Sequence, residues 1–163
     1  MRYRLRTLLI AMLISQIAIA ALSVNFLSLP LRESDSIEAA RMLVAWIVDG
    51  QAVPGYGESY PDANWMPAKK RFVVVCDDLP SSETLSGDAR VHRVTSSEYD
   101  ELFKQYGFNE IDYITIERAT ESRYVLVLKF SNQFGSLGGH GYQFEFRRKL
   151  WGLRARAKFL WVS

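Results

Sequence analysis

Apolar residues recur with two different periods along this chain. After Arg2, Arg4 and Arg6 comes an uncharged run from Thr7 to Leu31, 25 residues with the apolar heart LLIAMLISQIAIAAL. A helix needs about 20 apolar residues to cross the hydrocarbon core, so this run is expected to span a bilayer. Pro30 and Arg32 close it. Ile37, Ala40, Val44, Ile47 and Val48 then share one helical face, which predicts a helix over 36–49. Ser34, Asp35 and Ser36 are its candidate N-caps, Asp35 with Glu38 has capping-box spacing, and Gly50 is the expected C′ residue.

Residues 51–68 hold three prolines and two glycines without periodicity and are expected to be a loop. Its aromatic residues Tyr56, Tyr60 and Trp65 either close over a groove or pack the loop onto the domain. Phe72 to Cys76 is a short β-branched run that reads as a strand buried on both faces, and Val91 to Val94 as a shorter one. Thr95 and Glu98 form a capping box ahead of Tyr99, Leu102, Phe103 and Tyr106, a second helix that Gly107 ends.

From there the period drops to two. Tyr113 to Glu117 alternates weakly. Tyr124 to Phe130, Tyr142 to Arg147 and Leu153 to Trp161 alternate cleanly between apolar and polar. Loops are expected near 120–122, 134–141 and 151–152. The fold class is α+β: an N-terminal segment, 1–32, then one domain, 33–163, with one or two helices packed on an antiparallel β-meander of three or four strands. In element order alone this resembles the cystatin-like and nuclear-transport-factor-like α+β folds. A likeness of element order carries no function with it.

With 163 residues, 48% hydrophobic and 23% charged, the chain has the composition of a globular domain rather than of a disordered, collagenous or disulfide-built protein. Cys76 is the one cysteine, and His92 and His140 are the only histidines, so no metal site and no cofactor is expected. Charge is segregated. Residues 1–32 carry four bases and no acid, 33–121 carry 17 acids against 8 bases, and 122–163 carry 8 bases against Glu145 alone. The basic and acidic regions either face each other across the fold or leave a basic face for a partner.

The opening MRYRLRTLLI resembles the start of many bacterial membrane-anchored proteins. The resemblance implies a bacterial envelope location. Three arginines before the run and one after it place the N-terminus in the cytoplasm, with the domain outside. The alternative is a signal peptide cleaved after Ala18-Ile19-Ala20, which would release the domain.

Candidate chemistry is sparse. GSLGGHG, Gly135 to Gly141, lacks the spacing of a phosphate loop and lies between strands, so Gly138 and Gly139 are expected in a hairpin loop using φ > 0. His140 in that loop is either an exposed histidine or a general base paired with Asp77, Asp78 or Glu145. Cys76 ends a strand, where a small hydrophobe is expected rather than a nucleophile based on His92 or His140. Arg147, Arg154, Arg156 and Lys158 should share the outward face of the last hairpin. That face suits an acidic protein or an anionic lipid surface, and the expected location disfavours nucleic acid. The reading is a non-catalytic binding module held to the bilayer through residues 7–31. The alternative is a small hydrolase-like enzyme using His140 with a carboxylate or Cys76.

Overall fold

A computed structural model describes residues 7–17, 19, 27–58, 71–77, 84–106, 111–133 and 138–162. The first helix, α1, is described over residues 7–17 and 19, with Leu8, Leu9, Ile10, Leu13, Ile14 and Ile17 all more than half exposed. No helix among the described residues is long and apolar enough to cross a membrane. Residues 18 and 20–26 of the uncharged run lie outside the described set.

Helix α2, Asp35–Val48, begins one residue earlier than its periodicity indicates. Ser34 is the N-cap but makes no side-chain cap, and the Asp35–Glu38 capping box is not formed. Instead Asp35 accepts a bond from the Arg32 amide at 2.8 Å and pairs with Arg148. The carboxylate is shared between a local amide ahead of the helix and a distant cation. The C-terminal expectation holds: Gly50 has φ +64°, and the chain turns back so that the Gln51 amide donates to the Ala45 carbonyl.

Six strands form one sheet in the order β2-β1-β3-β4-β5-β6, with β1 at Arg71–Val75, β2 at Val91–Val94, β3 at Ile111–Glu121, β4 at Leu126–Gln133, β5 at Gly139–Lys149 and β6 at Gly152–Val162. The meander β3 to β6 is antiparallel as expected, but β1 runs parallel to both β2 and β3, so the sheet is mixed. A period of two carries no strand direction. The continuous apolar run of β1, buried from Phe72 to Val75, was the trace of its parallel setting between two neighbours.

Helix α2 covers one face of the sheet. Leu43, Val44 and Trp46 are fully buried there against Val74, Ile114, Leu128, Phe130 and Phe144. Helix α3, Ser96–Tyr106, lies on the opposite face over β1 and β3, where Tyr99 stacks on Tyr113 at 3.9 Å. Burial and the neighbouring acids push the Tyr113 phenol up to about 12. The Thr95–Glu98 capping box is formed reciprocally, with the Thr95 amide donating to Glu98 at 2.8 Å and the Glu98 amide to the Thr95 hydroxyl at 3.4 Å. The Thr95 amide and the Thr95 hydroxyl both donate to the Glu98 carboxylate and hold it below its usual range. Across β4, β5 and β6 no helix among the described residues covers this second face, and most of its described side chains are polar.

Candidate functional site

The register of β5 and β6 decides what that uncovered face displays. Gln143 pairs with Lys158, Glu145 with Arg156, and Arg147 with Arg154, while Phe144, Phe146, Ala155 and Ala157 of the same strands turn to the α2 side. The four expected cations Arg147, Arg154, Arg156 and Lys158 therefore stand on one face, and all are exposed. Lys129 joins them from β4, opposite Gln143 on one side and Glu117 on the other. A cleft of about 330 Å3 lies among Gln143, Glu145, Arg156, Ala157 and Lys158.

Five cations thus share the face with two carboxylates, Glu117 and Glu145. Glu145 is taken by Arg147 at 2.6 Å. Among the described residues Lys129, Arg154, Arg156 and Lys158 make no ion pair within 4 Å. The idea that basic and acidic regions neutralise each other holds for Arg148 with Asp35 and, in register, for Lys129 with Glu117, but not for the β5–β6 hairpin. Helix α3, with Glu98, Asp100 and Glu101, sits on the β1–β3 half instead. Arg147 and Arg154 oppose each other directly across the hairpin, an arrangement that destabilises a strand pair by about 0.2–1 kcal/mol.

One end of the face is bounded by Trp161. The expected alternation put Trp161 on the same side as Leu153 and Ala155, but the structure turns it to the other. A register shift between Gly141 and Tyr142, which pair with Trp161 and Phe159, leaves Leu160 as an extra residue. The indole lies on Gly141 and Gly139. A Cβ on Gly141 would sit 2.1 Å from the indole Nε1, and one on Gly139 would sit 3.2 Å from the six-membered ring. Gly139 and Gly141 are therefore needed here for flatness, not for positive φ. The described positive-φ glycines are Gly50, Gly55 and Gly152. Gly139 and Gly141 belong to β5, Gly138 immediately precedes it, and Gly135 lies outside the described residues. Gly141→Ala is expected to dislodge Trp161 and lower stability by about 1–3 kcal/mol. Urea denaturation reads the loss, and a red shift of tryptophan emission reads the displacement.

Beside Trp161 a smaller cleft of about 180 Å3 includes Thr115, Glu117, Lys129, Ser131 and Leu160. The Thr115 and Ser131 hydroxyls are hydrogen-bonded to each other at its floor. A third cleft, of about 320 Å3, lies between α3 and the β1–β2 edge, where Arg71 stacks over Tyr106 at 4.4 Å beside His92 and Leu102.

His140 is not an exposed loop residue. It is the second residue of β5, 8% exposed, on the α2 side of the sheet. Asn132 pairs with it in register, and Asp112 is a third buried polar residue toward that end. Its suggested partners are elsewhere. Glu145 points to the opposite face, and Asp77 accepts the Ser96 hydroxyl at 2.6 Å at the start of α3. Asp78 lies outside the described residues. Cys76 is 2% exposed in the core, and β3 and β4 separate its strand from β5. Three strand spacings put the two strands about 14 Å apart, so the thiol and the imidazole do not meet. His92 stands opposite Val73, on the other side of the sheet from Cys76.

The loop aromatics divide. Tyr56 packs edge-on against Trp46 and Phe144, its hydroxyl donates to Glu58 at 2.9 Å, and burial with that carboxylate pushes the phenol up to about 12. Pro54 beside it accepts the Ala155 amide at 2.7 Å, so this part of the loop covers the outer edge of β6. Trp65 lies outside the described residues. Sequence reasoning missed Lys129 as a member of the face. Its alternation with Leu128 and Phe130 marked it as outward-facing, but only strand order places it beside β5.

No protein-family model, curated protein or solved structure matches this chain.

Proposed function

We propose that this chain is a membrane-anchored envelope protein, N-terminus inside, whose external α+β domain is a non-catalytic module binding an acidic protein segment on the uncovered face of β4, β5 and β6. The observation that carries the reading is the direct opposition of Arg147 and Arg154, beside Arg156 and Lys158, with Glu145 their nearest carboxylate in register. Guanidinium groups hold carboxylates by paired, charge-assisted hydrogen bonds. A carboxylate-bearing partner relieves the repulsion that the empty hairpin carries. The cleft among Gln143, Glu145, Arg156, Ala157 and Lys158 offers two cations, an amide and a carboxylate already held by Arg147, but no hydroxyl or thiol, which suits binding rather than group transfer.

The anchor reading is supported by the uncharged run from Thr7 to Leu31 and by the arginines that precede it.

A fluorescein-labelled polyglutamate peptide serves as probe, with the full chain held in nonionic detergent micelles and binding read by anisotropy. Arg154→Glu together with Arg156→Glu is expected to weaken binding at least roughly tenfold, because each charge-assisted bond lost is about 1.5 kcal/mol or more. Raising the salt from low to physiological strength should weaken the unaltered protein too. Binding that survives both changes contradicts the proposal.

A further inference from the structure

The turns at one end of the sheet carry apolar side chains that the domain leaves uncovered. The β5–β6 turn projects Leu150 and Trp151, 54% and 74% exposed, and the β3–β4 turn at the same end projects Tyr124, 43% exposed. Cations surround them. The Arg123 guanidinium lies 5.5 Å from the centre of the Tyr124 ring, and the run Arg147-Arg148-Lys149 immediately precedes the Leu150–Trp151 tip.

The N-terminal segment is fastened at this same end. The Leu29 amide donates to the Arg148 carbonyl at 2.9 Å, the Leu31 amide to the Arg123 carbonyl at 2.8 Å, and Lys149 reaches the Ser28 hydroxyl at 3.2 Å. Leu31 is the last residue of the uncharged run. Leu27 and Leu29 on the way to it are themselves exposed. From Leu27 to Leu31 the chain spans at most about 14 Å when extended. A domain pinned so close to the end of its anchor has no linker on which to stand away from the bilayer.

We infer that this end of the sheet is seated in the headgroup layer of the lipid bilayer, with Leu150, Trp151 and Tyr124 at the acyl boundary and Arg123 and Lys149 at the lipid phosphates. The inference rests on the anchor reading above. Two independent features support it: the point where the chain leaves its apolar run, and the side-chain set. Tryptophan and tyrosine are the residues that favour the bilayer interface, because each has an apolar body and a polar tip, and flanking cations extend to the phosphates. A soluble partner would explain the exposed tip but not the fastening of the anchor beside it. With this end down, β5 and β6 rise from the membrane. Arg156 and Lys158 then stand clear of the lipid, and the basic face opens sideways to a protein.

The full chain reconstituted in phosphatidylcholine–phosphatidylglycerol vesicles tests this, using lipids brominated near the headgroup as a shallow quencher of tryptophan. Flotation of the same vesicles after a carbonate wash reports the anchor separately. The expected result is strong shallow quenching that is largely lost in Trp151→Phe, with flotation unchanged. Trp151 is an exposed turn residue, so this substitution leaves the core intact. Equal quenching in both proteins, or a Trp151 contribution quenched by aqueous iodide instead, overturns the docking while flotation upholds the anchor. A chain that does not float overturns both.

Discussion

Trp46→Ala is expected to lower the stability of the domain by about 3–5 kcal/mol, a large share of the 5–15 kcal/mol typical of a folded domain. Trp46 is fully buried in the middle of α2. Its ring meets Tyr142, Phe144, Tyr56 and Phe130 edge-on, with centroids 5.2, 5.3, 5.7 and 6.1 Å away. These contacts join the helix, strands β4 and β5 and the 51–58 loop at one point. The indole also donates to the Glu58 carbonyl at 3.0 Å, which holds the loop over the β6 edge. Removing the ring leaves a cavity that the rigid sheet beneath cannot fill. Trp46→Phe keeps most of the volume and loses the hydrogen bond, so it should cost markedly less. Urea denaturation of both variants measures the difference. A Trp46→Ala loss no greater than that of Trp46→Phe would mean that the helix–sheet packing is not centred here.

The second large effect is electrostatic. Asp35 is 1% exposed and pairs with Arg148, which is itself mostly buried. The pair joins the first turn of α2 to the end of β5, next to the bridge between Leu29 and Arg148. Asp35→Ala leaves a guanidinium desolvated without its carboxylate and is expected to cost about 3–5 kcal/mol. Replacing both residues by apolar ones, Asp35→Leu with Arg148→Met, removes the stranded charge and should recover most of that loss. A double-mutant cycle measures the coupling. If the double substitution is as damaging as the two single losses added together, the two groups do not act as a pair.

This pair also shows where sequence reasoning stopped. Asp35, three residues before Glu38 and beside two serines, has every local mark of a helix cap, and local marks were all the chain offered. Its real partner is 113 positions away. The helices, the period-two strands, the Thr95–Glu98 box and Gly50 were legible because each rests on contacts within a few residues. Strand direction was not, since alternation reads the same in parallel and antiparallel neighbours. The outward set of Arg147, Arg154, Arg156 and Lys158 was legible because both strands of a tight hairpin keep their alternation through it. Trp161 was misplaced by a single bulge residue, which inverts every side chain beyond it. His140 was misplaced because glycine-rich sequence suggests a loop. Here the glycines form a flat strand surface under an indole, and the histidine between them turns inward.

Binding of an acidic partner requires that the cations of β5 and β6 stand uncovered in the folded protein. The most direct test is the thermal stability of Arg154→Gln in the full chain, at low and at high salt. Arg154 faces Arg147 directly across the hairpin, so if no acidic group covers it, removing it relieves repulsion. The melting temperature should then rise at low salt, by the equivalent of up to about 1 kcal/mol, and the gain should shrink as salt screens the charges. A fall in melting temperature at low salt would mean that an acidic part of this chain covers the face, and would contradict the assignment of the face to a partner.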